Sequence, residues 1–542
     1  MTKMYGETLS EIIKNKEIFF VFEDFNLEFG GITNTVFKRA NYLAEKGYKI
    51  NLLTVDYMKN FDYILREFQR LNILSENINF INIFDYYFNK YSSKNTPKFR
   101  LDANKNDEHV IKRHNEDNSI SVDYYDETNT KLIKSELYID NVLVSINDIN
   151  NKIEFFTYDG FKYLELIGNT QVILYNPDFE KTIKFNSLND FLYHIIDELC
   201  DEKNKPFLVC DSTSHWHNLN GIKSDAYKIG VMHGNPYVFD NEPIDYLSPR
   251  INHLSHLDDL ETLVVLTNEV KQDLINEFKK DKFTVIPNFI SDEVLQTELA
   301  PKDLNRIGIF SRISPEKQIS DAIEAFKIVT KDKPEALLEI YGRALTDNEK
   351  KELEKLKGLV KNLNLEENVL FKGYLEDVNI EMQKSLCTLL TSKHEGLPMA
   401  LIESMSNATP VICYDFKYAP KDVITDGIDG IVVKKGNTNQ LAEEMIKLLN
   451  NPQFAIDLGM NAREKIRNEF STSSVGYKWE MLFQKVFVNS TLNDLAKKNK
   501  EIKKLKQKNK KLEKLNNQII NSNSWKITKP FRKLMKFLKF KK

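Results

Sequence analysis

The sequence is poor in cysteine and has no long hydrophobic run. Its 542 residues include only four cysteines, Cys200, Cys210, Cys387 and Cys413, without the paired spacing of zinc ligands or the density of a disulfide framework. No stretch approaches the ~18 apolar residues that span a bilayer. The first apolar run, Ile18–Phe22, is too short and too acid-flanked for a signal peptide. We therefore expect a cytoplasmic protein whose contact with a membrane is peripheral.

A balanced charge is lacking in each part of the chain, although the total is close to zero. The chain has 76 basic and 79 acidic side chains, a net charge of -3. Residues 496–542 hold 18 of the basic and 2 of the acidic side chains, a net of +16, which leaves 58 against 77, a net of -19, for residues 1–495. The 41% hydrophobic content excludes disorder as the main state. At roughly 100–200 residues per domain, the length predicts about two to four domains.

Strand-like and helix-like runs alternate over residues 17–90, over 188–278 and again from about residue 304. This pattern predicts an α/β fold with two Rossmann-like domains. Between 92 and 188 short strand-like runs alternate with turn residues, and Asp159-Gly160 is typical of a hairpin, so we expect an inserted all-β module. The predicted N-terminal domain comprises 1–91 and 189–300, closed by a helix at 471–487, and the C-terminal domain comprises 301–470.

The basic segment divides into two parts with different patterns. Apolar residues on heptad a and d positions, with asparagines at two further a positions, predict a coiled coil over 491–520 that favours two strands; the residues are Leu495, Ile502, Leu505, Leu512 and Ile519, with Asn509 and Asn516. Residues 521–542 form a basic amphipathic tail with Ile527, Phe531, Leu534 and Leu538 on one helical face. The tail fits an anionic membrane surface, a polyanionic polymer or, least well, nucleic acid. We favour the membrane, because Trp525 and other aromatics interleave with the charge.

The sharpest motif is the run Glu395-Gly-Leu-Pro-Met-Ala-Leu-Ile-Glu403, which follows a predicted strand, Cys387–Leu390. Pro398 suits the first turn of a helix, so the amides around Gly396, Leu397 and Pro398 should form a phosphate seat at the carboxyl end of the strand. Glu403 then suits ribose hydroxyls, and Glu395 faces the sugar end. Taken alone, either glutamate also fits a helix-end acid or a solvated side chain, but the framed pair favours a nucleotide site.

Basic and small residues follow other predicted strands. Arg312 and Lys317, in the loop after the strand Ile307–Phe310, would neutralise a diphosphate, although isolated basic loop residues are usually solvated. Gly30 and Gly31 lack the G-x-G-x-x-G spacing of an NAD site and suit close approach of a ligand. His233 ends an apolar strand and is either structural or directed into the interdomain cleft. His215 and His217 lack a third metal ligand, so we favour a surface loop for them.

These residues resemble the retaining glycosyltransferases of family 4, which have the GT-B fold of two Rossmann-like domains facing a cleft. The resemblance covers about residues 17–487, and its most specific element is Glu395-x7-Glu403. The β-rich insert, together with Gly31–Arg39 and Ile83–Tyr87, is similar to that of the wall teichoic acid α-glycosyltransferases. The sequence departs from the family pattern at Ala344 and Ala419, where glycine is usual.

The resemblance implies a role for each matching residue. Arg312 and Lys317 would hold the donor diphosphate, Glu403 the ribose and Glu395 the transferred sugar. Gly31 would let the backbone approach the donor, and His233 would contact the sugar or the reacting centre. The anomeric configuration would be retained, with the donor phosphate taking the proton of the acceptor hydroxyl. Because no Asp-x-Asp motif is present, we expect no metal and no cofactor.

The resulting functional hypothesis is transfer of a sugar from a UDP-sugar to a poly(alditol phosphate) wall teichoic acid, with UDP-GlcNAc preferred to UDP-glucose. One alternative is O-glycosylation of Ser-rich surface proteins, which relatives of the same layout perform. Another is a non-catalytic partner that only binds the acceptor. Relatives are implied to form trimers through the insert, whereas the coiled coil favours a dimer, so we expect a homo-oligomer. We expect it at the inner face of the membrane, without a nucleic-acid partner.

Overall fold

The computed structural model describes most of the chain in seventeen ranges: residues 8–22, 31–55, 61–92, 100–101, 109–115, 117, 119–126, 128, 130–168, 170–177, 182–201, 205–211, 219, 221–238, 246–247, 257–521 and 528. Two compact units are present, Met1–Phe483 and Gln484–Lys542.

The first part of unit 1 alternates strands and helices. Its elements are α1 (Leu9–Lys14), β1 (Glu17–Phe22), α2 (Gly31–Glu45), β2 (Lys49–Thr54), α3 (Phe61–Arg70), β3 (Asn79–Asn82) and α4 (Ile83–Tyr91). Strands only follow: β4 (Val110–His114), β5 (Ile120–Tyr125), β6 (Leu132–Ile139), β7 (Val142–Asp148), β8 (Lys152–Phe156), β9 (Lys162–Ile167), β10 (Gln171–Tyr175) and β11 (Thr182–Phe185). The α/β pattern then resumes with α5 (Leu188–Asp201), β12 (Phe207–Cys210), β13 (Tyr227–Met232), β14 (Tyr237–Val238), β15 (Tyr246–Leu247), β16 (Thr262–Val265), α6 (Asn268–Phe278) and β17 (Phe283–Val285).

A second alternating set follows. It comprises β18 (Asp303–Phe310), α7 (Ile319–Asp332), β19 (Leu337–Tyr341), α8 (Asp347–Asn362), β20 (Val369–Gly373), α9 (Asn379–Lys384), β21 (Ser385–Leu390), α10 (Met399–Ser406), β22 (Val411–Tyr414), α11 (Pro420–Val423) and β23 (Ile431–Val433). Three helices close the order: α12 (Thr438–Asn450), α13 (Pro452–Glu469) and α14 (Thr472–Asn521).

Two parallel sheets carry the two Rossmann-like domains. The first has the order β17-β16-β13-β12-β1-β2-β3, and the second has the order β20-β19-β18-β21-β22-β23. In each sheet the chain reverses its direction of winding beside the first strand, between β1 and β12 and between β18 and β21. Loops at the carboxyl ends of such strands diverge and leave a crevice, where ligands of doubly wound sheets bind.

The insert forms one antiparallel sheet, in the order β11-β10-β9-β8-β7-β6-β5-β4. Its strands β8–β11 share a hydrophobic core with α4, α5 and the first parallel sheet; Phe155, Tyr163 and Leu164 are buried there. The distal strands have a smaller core around Val122, Tyr138 and Leu143. The insert is therefore anchored on the N-terminal domain through one half of its sheet.

The main elements were predicted, and several were missed. The elements without a predicted counterpart are α1, α4, β4, β7, β11, β14, β15, β17 and the edge strand β23. The closing helix, predicted to end near residue 487, is the first part of α14, which continues to Asn521. No glycine or proline occurs between residues 477 and 521, so nothing in the sequence stops this helix. The exact domain limits stay a prediction.

Residues 472–483 of α14 pack against the N-terminal domain. Glu480 accepts hydrogen bonds from the hydroxyls of Tyr42 (2.9 Å) and Tyr48 (3.1 Å). A Cβ atom on Gly476 would lie 2.3 Å from the ring of Tyr42, so only glycine permits this approach. The chain thus returns to its first domain after completing the second.

Candidate active site

The predicted site residues lie on loops at the carboxyl ends of the strands that flank each crevice. The loop after β18 carries Arg312 and Lys317, and the loop after β21 carries Glu395 and Gly396. In the N-terminal sheet, Asp211 follows β12 and His233 follows β13. Parallel pairing of β18 with β21 and of β12 with β13 places the loop pairs side by side.

Lys317 and Glu395 form an ion pair. The Nζ atom of Lys317 lies 2.5 Å from Oε1 of Glu395, and both side chains are 15% exposed. Glu395 also accepts a hydrogen bond from the hydroxyl of Ser392, at 2.8 Å. The predicted phosphate-binding cation and the predicted sugar-binding carboxylate are therefore in contact, and an incoming diphosphate would compete with Glu395 for Lys317.

Gly396 lies where the two domains approach each other. A Cβ atom at this position would lie 2.5 Å from the carbonyl oxygen of His233 and 3.3 Å from backbone atoms of Gly234. The motif glycine is thus needed because any side chain would meet main chain from the other domain. The structure brings His233 and the Glu395–Gly396 loop together, as the interdomain position predicted for His233 requires.

The helix α10 begins one residue later than predicted. Pro398 occupies the N-cap position in an extended conformation, without a side-chain cap, and the first helical residue is Met399. Its extended ψ of 118° explains the shift, because Pro398 lies outside the helical region. The side chain of Leu397 is buried in the core, so this residue offers only its backbone to the crevice. The uncapped first-turn amides and the helix dipole favour an anion there.

Glu403 and Lys38 face each other from different domains. Glu403, on α10, is half-buried, and this burial raises the pKa of its carboxyl, while the charge of Lys38 opposes the rise. Burial lowers the pKa of Lys38, which lies on α2, and Glu403 and Glu293 oppose that fall. The two side chains stabilise each other's charged forms across the crevice. Glu403 is thus less exposed than a fully solvated helix residue.

Arg312 is the most exposed of the predicted cations, at 63%. Its guanidinium contacts Oε1 of Glu349 at 3.1 Å and Oε1 of Glu316 at 3.4 Å. Hydrogen bonds from the backbone amides of Thr346 and Leu345 lower the pKa of Glu349, which keeps this carboxylate ionised beside the arginine. Arg312 is therefore anchored loosely and can reorient toward a ligand.

A cavity of about 280 Å³ connects Arg312 to Glu403. Gly342, Arg343 and Tyr374 line it as well, and the Arg343 guanidinium lies 4.4 Å from the centre of the Tyr374 ring. A Cβ atom on Gly342 would lie 1.8 Å from the carbonyl oxygen of Ser311, so this glycine lets the loops after β18 and β19 touch. Arg312 and Glu403 therefore line one shared space between the loops after β18 and β19 and the helix α10.

The side chain of His233 contacts the buried carboxylate of Asp211. The Nε2 atom of His233 lies 2.9 Å from Oδ1 of Asp211, and Oδ2 of Asp211 pairs with the guanidinium of Arg39. Burial alone would raise the pKa of Asp211, but Arg39 and the hydrogen bond from His233 lower it below its ordinary value. Asp211 is therefore an ionised carboxylate inside the protein.

Three of the residues considered in the sequence, Gly30, His215 and His217, lie outside the described residues. Gly31 is the first residue of α2. Among the residues that the structure describes, no three His, Cys, Asp or Glu side chains cluster as metal ligands. In the same part of the chain, no helix is long and apolar enough to cross a membrane.

Sequence reasoning missed Asp211, Arg39, Lys38 and Glu349. Asp211 had a usable signal, because it directly follows the apolar strand β12, as His233 follows β13. Lys38 and Arg39 lie within a helix, and Glu349 lies in the first turn of another, so their positions near the crevice depend on how the helices pack.

Ala419, one of the two positions where the sequence departs from the expected glycine, has a φ of +98°, a conformation that favours glycine.

Residues 291–465 match the family model of glycosyl transferases group 1. The chain is 24% identical over 513 residues to a poly(ribitol-phosphate) alpha-N-acetylglucosaminyltransferase of Staphylococcus aureus (strain COL), covering 86% of this chain and 99% of that protein. It is 28% identical over 373 residues to a poly(glycerol-phosphate) alpha-glucosyltransferase of Bacillus subtilis (strain 168), covering 65% of this chain and 54% of that one.

A similar solved structure is that of a mutant of S. aureus TarM in complex with Fondaparinux, alpha-GlcNAc-glycerol and UDP. It has a TM-score of 0.70 and 22% identity, and the match covers 86% of this chain and 99% of that chain. The predicted resemblance to glycosyltransferases and the predicted GT-B fold are confirmed.

Proposed function

We propose that this GT-B chain is a retaining glycosyltransferase that moves GlcNAc or glucose from a UDP-sugar to hydroxyls of a poly(alditol phosphate) wall teichoic acid. One observation carries the proposal: Lys317, Glu395 and the uncapped start of α10 converge at the switch point of the C-terminal sheet, against His233 of the other domain. The relatives' polymer acceptors and the UDP in the TarM complex support the substrate classes.

The donor diphosphate would lie between two cations and a helix end. Arg312, Lys317 and the amides of Gly396, Leu397 and Met399 would stabilise the charge that develops when the sugar leaves. Lys317 would leave its ion pair with Glu395 and bind a phosphate oxygen, and Arg312 would leave Glu349 to do the same. Glu395, released from Lys317, would then accept hydrogen bonds from the transferred sugar. Donor binding would therefore free the Glu395 carboxylate to bind the sugar.

The nucleoside would occupy the cavity that ends at Glu403. The carboxylate of Glu403 would accept hydrogen bonds from the two ribose hydroxyls, and the charge of Lys38 would favour its ionised form. The planar base would lie beside Arg343 and Tyr374, which line the same cavity. The acceptor hydroxyl attacks from the leaving-group face, and its proton passes to the donor phosphate. Neither glutamate forms a covalent bond to the transferred sugar, and Arg312, Lys317 and the helix amides would supply the charge stabilisation without a metal.

Acceptor identity is tested by offering alternatives in one assay. Radiolabelled UDP-GlcNAc and UDP-glucose are each incubated with purified poly(ribitol phosphate), poly(glycerol phosphate) and a Ser-rich surface protein. We expect label in a polymer, dependent on Lys317. Label in the protein alone would establish the O-glycosyltransferase alternative, and release of no UDP under any condition would leave the non-catalytic acceptor-binding alternative.

Unit 2 would pair with the same segment of a second copy as a parallel coiled coil. Four heptad residues on the described helix, Leu495, Ile502, Leu505 and Leu512, are 48–59% exposed, so their stripe is available to a partner. The acidic residues of 496–542 are Glu501 at g and Glu513 at e. In a parallel dimer, Glu501 meets Lys506 and Glu513 meets Lys508 of the other copy, which are the favourable g–e pairings.

A charge swap tests this pairing by light scattering of the chain ending at Asn521. Glu501→Lys with Glu513→Lys places lysines opposite lysines and should dissociate the pair. Adding Lys506→Glu and Lys508→Glu restores attraction at the wild-type net charge and should restore the pair. A mass unchanged by the first two substitutions would refute the parallel arrangement, and a trimer would assign assembly to the insert.

The basic tail, 521–542, would attach the enzyme to the inner face of the membrane, where an anionic wall polymer is made. Its lysines meet anionic lipid while Trp525 and the apolar face enter the headgroup region. Flotation with anionic and neutral vesicles compares the full chain with chains ending at Asn521 and Ser490. Attachment should need both anionic lipid and residues 522–542; equal flotation of all three chains would refute it.

A further inference from the structure

Three buried side chains connect the terminal helix to the proposed active site. The Arg39 guanidinium lies between two aromatic rings, 4.3 Å from the centre of Phe20 and 4.3 Å from that of Trp479. Arg39 pairs with Asp211, and Asp211 holds Nε2 of His233. The side chains of Arg39, Asp211 and His233 are 1%, 0% and 5% exposed, so all three are buried.

The chemistry of Asp211 decides which nitrogen of His233 carries hydrogen. An ionised carboxylate can only accept hydrogen bonds, and Arg39 holds Asp211 in this form. The Nε2 atom must therefore carry the hydrogen that it donates to Oδ1, as second partners of histidine commonly dictate. In the neutral ring, Nδ1 is then left as a hydrogen-bond acceptor.

The Nδ1 atom of His233 is buried and has no hydrogen-bond partner among the described residues. A buried polar atom without a partner costs free energy, and a bound ligand group that hydrogen-bonds to it removes this cost. The carbonyl of the same residue lies against Gly396, so the backbone of His233 is next to the loop that also carries Glu395. A sugar hydroxyl is a donor of the kind that Nδ1 can accept.

We infer that Asp211, held by Arg39, is a positioning residue that fixes His233 with hydrogen on Nε2 and presents Nδ1 to a hydroxyl of the sugar substrates. The inference rests on the proposed function, which supplies that hydroxyl. Arg39 has two roles in it: it neutralises the buried charge of Asp211, and through Trp479 it links the ring's orientation to the seating of α14. Asp211 itself touches no substrate.

The first test needs no substitution at Asp211 and no activity. Nitrogen-15 NMR of the imidazoles, with the His233 signals identified by their loss in His233→Ala, reports which nitrogen is protonated in the neutral ring. We expect hydrogen on Nε2, and a shift of the Nδ1 signal when the UDP-sugar or the acceptor is added. Hydrogen on Nδ1 would overturn the inference, whatever the enzyme's activity.

The second test reverses the tautomer. Asparagine at 211 can donate to Nε2, so Asp211→Asn should move the hydrogen to Nδ1 and lower kcat by at least about tenfold, with KM for the donor changed by less than about twofold. In the His233→Ala background, Asp211→Asn should have no further effect on kcat, because it acts through the ring. A full additional loss in that background would show a merely structural role.

Controls separate this inference from the proposed function. Glu136→Gln removes another buried carboxylate, held by Tyr124 and Tyr138 in the insert, and should leave kcat unchanged. Because Asp211→Asn leaves Arg39 unpaired, the double variant Arg39→Met with Asp211→Asn is measured in parallel and should show the same fall in kcat. If wild-type protein transfers no sugar but has hydrogen on Nε2, the proposed function fails while the tautomer assignment stands.

Discussion

Gly396→Ala should impair transfer although it adds a single methyl group. The new Cβ would lie 2.5 Å from the His233 carbonyl oxygen, whereas real Cβ contacts essentially never fall below 3.0 Å. The two segments must therefore separate by at least 0.5 Å, the difference between these distances. The neighbouring atoms all belong to main chain, so no side chain can rotate to make room.

The displacement falls where the two Rossmann-like domains meet. A misplacement of about 1 Å in a catalytic arrangement costs about 100-fold in rate, so we expect kcat/KM to fall by about 10- to 100-fold. Initial rates over a range of UDP-sugar concentrations measure this, with melting temperature as the folding control. Gly358→Ala is the matched comparison, because its Cβ would meet nothing within 4 Å inside α8. Wild-type kcat/KM in Gly396→Ala would refute the contact as functional.

Four further substitutions address the charges of the site. Arg312→Ala or Lys317→Ala should each lower kcat by about 100-fold or more in initial-rate assays, because each removes a charge that stabilises the leaving diphosphate; unchanged turnover would remove that residue from the site. Glu395→Gln frees Lys317, so calorimetry should show UDP binding tighter by about 1 kcal/mol, about fivefold in Kd, while transfer falls; weaker UDP binding would contradict the competition. Glu403→Gln should raise donor KM by about tenfold. Since burial raises the pKa of the Glu403 carboxyl, the donor KM of the wild-type protein should increase as the pH falls through that pKa. Above that pKa the buried carboxylate is ionised and lowers the folding stability. A Glu403→Gln variant whose donor KM keeps this pH dependence, or whose melting temperature at neutral pH is below that of the wild type, would contradict the proposed role of Glu403.

Local sequence patterns were sufficient for the parallel sheets and for the predicted donor loops. Apolar strands followed by Arg312, Lys317 and Glu395 could be placed at a sheet edge because parallel strands end together. The ion pair between Lys317 and Glu395 could not be predicted, since it joins loops 78 residues apart whose side chains meet only after β18 pairs with β21.

Other features depend on packing between elements. The helix α4 is rich in aromatic residues, and it is helical because Phe84 and Tyr87 pack on the insert and α5. The pairing of Arg39 with Asp211 joins a helix to a strand end 172 residues later, and Trp479 completes it from the end of unit 1. Long-range contacts of this kind leave no periodic signal in the sequence.

Sugar transfer with retention of configuration is the step that defines the proposed function. The most direct measurement is proton NMR of the product formed from an α-linked UDP-GlcNAc or UDP-glucose and poly(ribitol phosphate) or poly(glycerol phosphate). We expect a new α-anomeric signal on the polymer that is absent with Lys317→Ala. A β-linked product, or no transfer to either polymer, would contradict the proposed function.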